Sequence, residues 1–598
     1  MAQPNPTPPL PRSRRVAFAA LAVALPVLAV LGLEGALRLA GVGAERRAPF
    51  VPVPEHPDHV ALSPAFGASF FRGFTPGVAF DPLDAVRTPG ALRVVALGGS
   101  STAGFPYHFY YGFPARLEDR LVAMQPGRPV EVANLGMTAT NSYTVWALAP
   151  SVAALQPSAV VVYAGHNEYY GAFGTGGTQG WGGTSIPLKR FGLRASRWAT
   201  VAAASGLLAG DGEPPDASRT LMARVVRESA IALDGELYRA GVAQYEANLR
   251  DAIETFGQSG TPVFLGTLAS NLADQAPLGD APAAAEAFAE GRRRLAAGDT
   301  AAARDAFLEA KELDGLRFRA PEAMNGVVRR LAAEYSHVTL VDVAAHIREA
   351  SPGGLEGAAL FADHLHPNAR GYALVADAFA EALQAHLPTL EDALAPGPSP
   401  SAVDPLEADF AALQIAALTS GYPFDKGRTP DEAAALARAR ADSLVAAGGT
   451  AAMAARVALG TAPPPQALNA AVTQARSDAD TLGALRLYGA LLRWQPFNAR
   501  LQATATGYAL DAPRYDAETA PLARYAATHA AEAFGLNALA AIALRSGDLD
   551  RAGPLLDAAE AATPEAPEVL FNRARLLVLQ GDTAAAQGYF ERFQATQR

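Results

Sequence analysis

Five short apolar runs, rich in valine and separated by helical stretches, constrain the fold of this chain most. They occupy residues 93–97, 130–134, 159–165, 261–267 and 338–343. Continuous apolar runs of this length are typical of strands buried on both faces of a parallel sheet. Because helical patterns lie between them, the sequence predicts an α/β domain with a doubly wound sheet.

Two insertions interrupt this alternation. About a hundred residues separate the third run from the fourth, far more than a normal crossover needs, and they begin with a glycine-rich loop at 169–185. The second insertion, at 283–315, has the pattern of a helical hairpin that turns at Gly298-Asp299. We expect this helical insertion to span about 283–330. It lies within an α/β domain that covers 91–395.

The N-terminal segment predicts a membrane anchor. Residues 16–33 carry no charge, and Arg12, Arg14 and Arg15 precede them. Eighteen residues of helix rise about 27 Å, enough for a thin span. Basic residues before the span favour a cytoplasmic N-terminus, although Arg38, Arg46 and Arg47 follow it.

We therefore expect residues 1–15 to be a cytoplasmic tail and 16–41 an uncleaved transmembrane signal anchor. The rest of the chain is expected in the periplasm or outside the cell, with 42–90 as a loop-dominated linker rich in Pro and Gly. A cleaved signal peptide and a buried core helix are the alternative interpretations of the apolar run.

The last third of the chain is helical in pattern. A Pro-rich linker at 396–405 precedes it, and the Gly-Asp turns that begin at Gly547 and Gly581 lie 34 residues apart. That period resembles tetratricopeptide repeats and predicts an all-α, tetratricopeptide-like domain over 404–598. An alanine-rich helical tail without a partner is the alternative.

Composition excludes several kinds of site. The chain has no Cys, which rules out disulfides, thiolate metal sites and cysteine nucleophiles. The net charge of -10 argues against a general nucleic-acid binder, which would show a basic face. The ten His show no metal-ligand spacing, so we expect no metal and no cofactor.

Ser100 follows the first strand in a turn of small residues that leads into a helix. Such a turn exposes one side chain at the carboxyl edge of the sheet, where open α/β sheets place their sites. A phosphate-binding loop is the alternative, but the turn lacks the lysine of such loops and has no complete G-x-G-x-x-G.

Asp363 and His366 lie three residues apart after the last strand, a spacing that lets both side chains face the same side. An Asp beside a His can orient the imidazole while it takes a proton from a serine. His364 is a competing base, and a helix cap by Asp363 with a solvated His is the structural alternative. Gly136 and Asn167, after the second and third strands, are candidate oxyanion donors.

Together these four blocks resemble the SGNH (GDSL-type) hydrolases, over roughly residues 90–390. The resemblance implies a three-layer α/β/α, flavodoxin-like domain, with Ser100 as nucleophile, His366 and Asp363 as its partners, and Gly136 and Asn167 in the oxyanion hole. The sequence departs from the family at Gly99, where Asp is expected, and at Glu168, where Asp is common.

Arg317, Arg319 and Tyr169 are further candidates for substrate binding, the arginines for a carboxylate or phosphate and the tyrosine for an aromatic rim. Surface ion pairing and loop packing are their alternative roles.

The leading functional hypothesis is a membrane-anchored serine esterase. Transfer or removal of acyl groups on cell-envelope polysaccharide at the same site is the second hypothesis. An inactive hydrolase-fold scaffold that binds proteins through its repeats is the third. We expect an ester or acylated-glycan substrate and a possible protein partner at the C-terminal repeats, with no nucleic-acid partner.

Overall fold

The computed structural model describes most of the chain. It covers residues 11–71, 75–125, 128–178, 182–208, 226–387 except 228, 390, 403–515 and 533–597. The first ten residues of the expected cytoplasmic tail and most of the expected linker at 396–405 lie outside the described residues.

One long helix stands at the N-terminus. Helix α1 (Arg12–Leu39) contains an 18-residue window of mean hydropathy 2.6, none of it buried. Among the described residues it is the one helix long and apolar enough to cross a membrane. It begins four residues before the expected span and ends two residues earlier, and it fits a single-pass anchor.

The segment expected as a linker is folded instead. After α2 (Ala44–Arg47) come β1 (Phe50–Val53), β2 (His56–Leu62), α3 (Pro64–Ala68) and β3 (Leu83–Asp84). The three strands form an antiparallel sheet in the order β1-β2-β3. Phe66 and Phe70 are buried in the core of the α/β domain. The linker prediction for 42–90 was therefore wrong, because a Pro-rich segment can still form short edge strands and bury its aromatic side chains.

All five apolar runs form strands of one parallel sheet. They are β4 (Leu92–Gly98), β5 (Val130–Asn134), β6 (Ala159–Tyr163), β7 (Val263–Gly266) and β8 (Val338–Val341). The order β5-β4-β6-β7-β8 is the flavodoxin-like, doubly wound order. Val94, at the centre of β4, is opposite Val132 of β5 and Ala159 of β6, and all three are buried.

The described helices of the α/β domain and its insertions lie between Ser100 and His386. They are α4 (Ser100–Ala103), α5 (Phe113–Met124), α6 (Ser142–Ala154), α7 (Ile186–Ala195), α8 (Ala199–Leu208), α9 (Glu236–Gln258), α10 (Pro282–Ala296), α11 (Thr300–Leu313), α12 (Glu322–Glu334), α13 (Val343–Ala350) and α14 (Ala369–His386). Helices α5, α13 and α14 form one packed group, whereas α6, α9 and α12 form another. The predicted α/β fold with a parallel sheet is confirmed.

The predicted hairpin in the second insertion is present as α10 and α11, which pack along each other. Gly298 takes the left-handed φ of 82° that ends α10, and Asp299 accepts the N–H of Ala302 to begin α11.

The described part of the C-terminal third is wholly helical. Its helices are α15 (Pro405–Thr419), α16 (Pro430–Ala447), α17 (Gly449–Ala458), α18 (Pro464–Ser477), α19 (Thr481–Trp494), α20 (Ala499–Leu510), α21 (Phe534–Ser546), α22 (Leu549–Ala562), α23 (Pro567–Leu579) and α24 (Thr583–Thr596). Gly547 and Gly581 adopt left-handed φ values, and the aspartate after each caps the next helix. The turn chemistry that the sequence indicated is thus used twice.

This helical segment packs against the α/β domain rather than standing apart. Arg493 of α19 donates to Glu118 and Asp119 of α5, at 3.0 Å each, and to the carbonyl of Ala115. The Arg493 and Glu118 side chains are less than one tenth exposed. Buried charges are expensive unless they are paired, so this contact holds the two regions in one relative position.

Candidate active site

Ser100 lies at the carboxyl end of β4 as the first residue of α4. The turn is tight because Gly98 has no side chain: a Cβ there would collide with Thr102 Oγ1 and the Tyr163 carbonyl oxygen. The strand therefore passes directly into the helix, and the serine hydroxyl is presented at the edge of the sheet.

His366 contacts this hydroxyl. Its Nε2 lies 2.7 Å from Ser100 Oγ, although the two residues are 266 positions apart in the chain. Its Nδ1 lies 2.6 Å from Asp363 Oδ2. An ionised carboxylate only accepts hydrogen bonds, so Nδ1 carries the ring proton and Nε2 is left to accept from the serine.

Asp363 is held as an anion. Its Oδ1 accepts the backbone N–H groups of Leu365 and His366, each at 2.8 Å. Burial opposes ionisation of this carboxyl, but the neighbouring rings of His366 and His364, by charge and hydrogen bonding, hold its pKa well below the ordinary value. The structure thus joins Ser100, His366 and Asp363 in one hydrogen-bonded chain, which was expected from their positions in the sequence.

Gly136 approaches the serine helix closely, but its N–H is already occupied. A Cβ at this position would collide with the backbone of Thr102 and Ala103, so only glycine fits. Its N–H donates to Asn134 Oδ1 at 3.0 Å. In this structure Gly136 permits close packing and its N–H is used inside its own loop. Its role as an oxyanion donor stays a prediction.

Asn167 lies on the other side of the serine turn. Its Nδ2 is 3.2 Å from the position that a Cβ of residue 99 would occupy, and the Thr140 carbonyl oxygen is equally close to that position. The departure from the family at Gly99 therefore leaves room for the Asn167 amide beside Ser100.

Glu168, the second departure, is a buried support of the site. Its carboxylate accepts the Ser142 N–H at 3.1 Å, the Ser142 hydroxyl at 2.7 Å and the Gln244 amide at 2.8 Å. Burial raises the pKa of this carboxyl to about 7, despite these hydrogen bonds. The longer side chain of Glu thus connects the Asn167 loop with α6 and α9.

Tyr169, Arg317 and Arg319 are buried, and they form hydrogen bonds to backbone carbonyls. Tyr169 is fully buried, and its hydroxyl donates to the Tyr238 carbonyl. Arg317 donates to the carbonyls of Ile231 and Glu312.

Arg319 donates to the carbonyls of Asn271 and Gln275, and it is buried as Arg317 is. The expectation that these three residues bind substrate is therefore corrected, because each side chain is buried and donates to backbone carbonyls.

Two buried histidines beside the site were not singled out for a structural role. His166 accepts the Ala320 N–H through Nδ1, and burial lowers its pKa to about 3. His364 packs edge-on against the rings of Phe318 and Phe424. Burial also lowers the pKa of His364. His166 lies in the motif that contains Asn167, and His364 lies in the motif that contains His366. This position in the sequence was the one indication that the two histidines lie near the site.

Among the described residues, one group of three could offer a metal ion its ligand atoms: Asp363, His364 and His366. Both ring nitrogens of His366 are engaged by Ser100 and Asp363. A cation bound by this group would have to break that chain, so hydrogen bonding explains the arrangement better than metal binding.

The helical segment supplies part of the surroundings of the site. The Phe105 ring centroid lies 4.6 Å from that of His366, with the two planes tilted by 57°, and the loop that follows Phe105 is bound by α15. Glu407, which is wholly buried, accepts the N–H and Nδ1–H of His108 and the hydroxyl of Tyr110. Nothing in the sequence indicated that the loop after Phe105 is held by α15.

A family model matches most of the α/β domain. Residues 96–374 match the model of the GDSL-like Lipase/Acylhydrolase family, and this range contains Ser100, His366 and Asp363. No curated protein matched the chain.

Two solved structures are similar to about half of the chain. A proposed acylhydrolase from Bacteroides fragilis is 14% identical, with 50% of this chain and 88% of that one covered at a TM-score of 0.26. A lipase/acylhydrolase from Enterococcus faecalis is 17% identical, with 49% and 96% covered, at a TM-score of 0.26. At these TM-scores the two alignments carry no information about function.

Proposed function

Because residues 96–374 match the GDSL-like lipase/acylhydrolase family model, we propose that the chain is a hydrolase acting on esters with Ser100, His366 and Asp363 as its catalytic triad. The observation that carries this proposal is the unbroken pair of hydrogen bonds from Ser100 Oγ through His366 to Asp363. The protein is then a serine esterase that acts on a carboxylic ester.

The reaction follows from the direction of these hydrogen bonds. His366 Nε2 takes the hydroxyl proton while Ser100 Oγ attacks the carbonyl carbon of the ester. Asp363 keeps its negative charge and stabilises the imidazolium that forms. His366 then protonates the leaving alcohol, and a water molecule activated by the same nitrogen releases the acyl group from Ser100.

The developing oxyanion needs hydrogen-bond donors, and Asn167 is our first candidate. Its amide lies beside the serine turn on the half-exposed side of the site. Gly136 serves as a second donor only if Asn134 gives up the Gly136 N–H during the reaction.

We place the catalytic domain outside the cytoplasm, on a membrane anchor formed by α1. The apolar and wholly exposed window of this helix supports the anchor. The cluster of Arg12, Arg14 and Arg15 before the window supports a cytoplasmic N-terminus. Arg38 follows the window and would by itself favour the opposite orientation. It is paired with Glu34 at 2.6 Å, so its positive charge is neutralised.

Residues 404–598 are, in our proposal, a tetratricopeptide-like domain. Paired helices and two capped Gly-Asp turns 34 residues apart support it. A groove of about 950 Å³ lies between α21, α23 and α24, and Phe571 and Phe590 line it. Binding of a protein partner there stays a prediction.

Fluorophosphonate labelling of the full-length chain tests the triad. We expect labelling of the wild type and of Ser101→Ala, and none of Ser100→Ala, because Ser100 rather than Ser101 contacts His366. Ser101 is the matched control, since it is the next residue of α4 and is buried. Ester hydrolysis that survives in Ser100→Ala contradicts the proposal.

Hydrolysis and acyl transfer share the acyl-serine intermediate, so the same preparation separates them. Incubation with an acyl donor and envelope glycans, followed by mass spectrometry of the glycans, detects transfer. Release of free acid without acylated sugar supports the esterase.

A further inference from the structure

Helix α7, in the first insertion, turns large apolar side chains outward. Leu188 is 43% exposed and Phe191 is 60% exposed, and their spacing of three places them on one face. Arg194, one further turn along, is also exposed. The opposite face packs inward through Lys189 and Leu193, which are buried.

Helix α8 is fastened to the membrane-anchor helix. Glu34 of α1 accepts the N–H of Ala199 at 3.0 Å and both the N–H and the hydroxyl of Thr200 at 2.9 Å. Arg38 donates to the same carboxylate at 2.6 Å. These contacts leave Glu34 almost wholly buried at the start of α8.

The position of Glu34 fixes where this junction lies. It is the first ionisable residue after the uncharged run 16–33, so it marks the end of the apolar part of α1. A carboxylate at that depth belongs at the boundary between acyl chains and headgroups. Only residues 196–198 separate the start of α8 from the end of α7. Because this turn is short, the end of α7 must lie near the bilayer surface.

We propose that α7 and the start of α8 form a second membrane contact, with Leu188 and Phe191 inserted at the headgroup–acyl boundary of the bilayer. The inference rests on the membrane anchor of the proposed function and not on its chemistry. Phe and Leu on one face of a helix, with Arg at the margin, are what interfacial helices present to lipid.

Three observations favour lipid over a protein partner as the occupant of this face. Only residues 196–198 separate helix α7 from helix α8, which contacts the helix proposed to span the bilayer. Val201 of α8, which is 39% exposed, adds an apolar side chain directly beside the junction. Arg194, which is exposed, and Arg46, which is partly exposed and follows α1, supply the positive charge that anionic headgroups attract. The contact would hold the catalytic domain in a fixed orientation to the membrane.

The absence of cysteine makes a direct test simple. Full-length Phe191→Cys, Leu436→Cys and Leu25→Cys are labelled with an environment-sensitive fluorophore. Each is reconstituted in vesicles of phosphatidylcholine and phosphatidylglycerol with headgroup-proximal spin-labelled lipid. Leu436, which is 48% exposed on α16, is the water-exposed control, and Leu25 reports the span itself.

We expect lipid quenching of the label at 191 to exceed that at 436 by about twofold or more, with a blue-shifted emission. Equal quenching at 191 and 436, or aqueous iodide reaching both equally, overturns the inference. If the label at 25 is inaccessible to iodide while that at 191 is not, the anchor stands and only the second contact fails. If iodide reaches 25 as well, the anchor fails too.

Discussion

Each candidate catalytic side chain depends on a neighbour that holds it in place. His366 needs Asp363 to fix its ring proton, and Asp363 needs two backbone N–H groups to remain an anion. These are local contacts within four residues, so the sequence motif alone contains them. The contact of His366 with Ser100 is different, because the two residues are 266 positions apart in the chain.

Asn167→Ala is predicted to lower kcat by about 10²–10³, because it removes a donor to the oxyanion without touching the nucleophile. The measurement is steady-state hydrolysis of a chromogenic ester beside denaturant unfolding. Asn134→Ala is the matched control and is expected to lose stability rather than kcat, since its side chain is buried within the Gly136 loop. An equal fall of kcat in both variants would contradict the prediction. It would mean that displacement of the loops around Ser100, and not loss of the Asn167 amide, lowers kcat.

Glu168 makes stability depend on pH with a defined sign. Its pKa is raised from 4.5 to about 7 in the folded protein, so the unfolded state releases its proton first as pH rises. The contribution of protonated Glu168 to the free energy of unfolding is fully present below pH 4.5 and is lost as pH rises through 7. Between pH 4.5 and 8 the free energy of unfolding should fall by about 3 kcal/mol more in the wild type than in Glu168→Gln. Parallel urea titrations across this range check it, and identical pH slopes would contradict it.

At the scale of elements, close backbone contacts set the position of the serine helix. Short α4 lies against the loop that contains Gly136, and the two backbones meet where a side chain would be. A glycine motif in a sequence shows that some contact or turn requires a small residue. Which backbone makes that contact is visible only once β4 and β5 are paired.

Gly136→Ala is predicted to destabilise the protein by about 1–3 kcal/mol and to slow fluorophosphonate labelling, because the new methyl group pushes α4 away. Thermal unfolding and labelling rates measure the two effects. Gly489→Ala in α19 is the control: nothing lies within 4 Å of its added Cβ, and Ala favours a helix by up to about 1 kcal/mol. A wild-type melting temperature for Gly136→Ala would contradict the steric argument.

At the scale of the whole molecule, the helical segment is part of the structure that surrounds the site. Its carboxylates Asp404 and Glu407 bind the loop that carries Phe105, and Arg493 binds α5. A change in the helical segment therefore has a physical route to the ring of His366. The linker composition before residue 404 gave no indication of this, since a linker is compatible with docked and with free domains.

Arg493→Met is predicted to lower the free energy of unfolding by about 3 kcal/mol, because it leaves Glu118 buried without its cation. Adding Glu118→Gln should recover part of that loss, since the second change removes the uncompensated carboxylate. Urea unfolding of the two variants measures both steps. A double variant that is less stable than Arg493→Met would show that the ion pair is not the source of the effect.

The sequence by itself determined the α/β sheet, the helical hairpin at Gly298, the helical C-terminal third and the candidates Ser100, Asp363 and His366. These features depend on local patterns: apolar runs, turn residues and the i, i+3 spacing of an Asp and a His. Only the tertiary structure decided that β1, β2 and β3 form a sheet, that Tyr169, Arg317 and Arg319 are buried, and that the Gly136 N–H is occupied. Each of those depends on which segments pack together over long chain separations, and neither composition nor spacing records that.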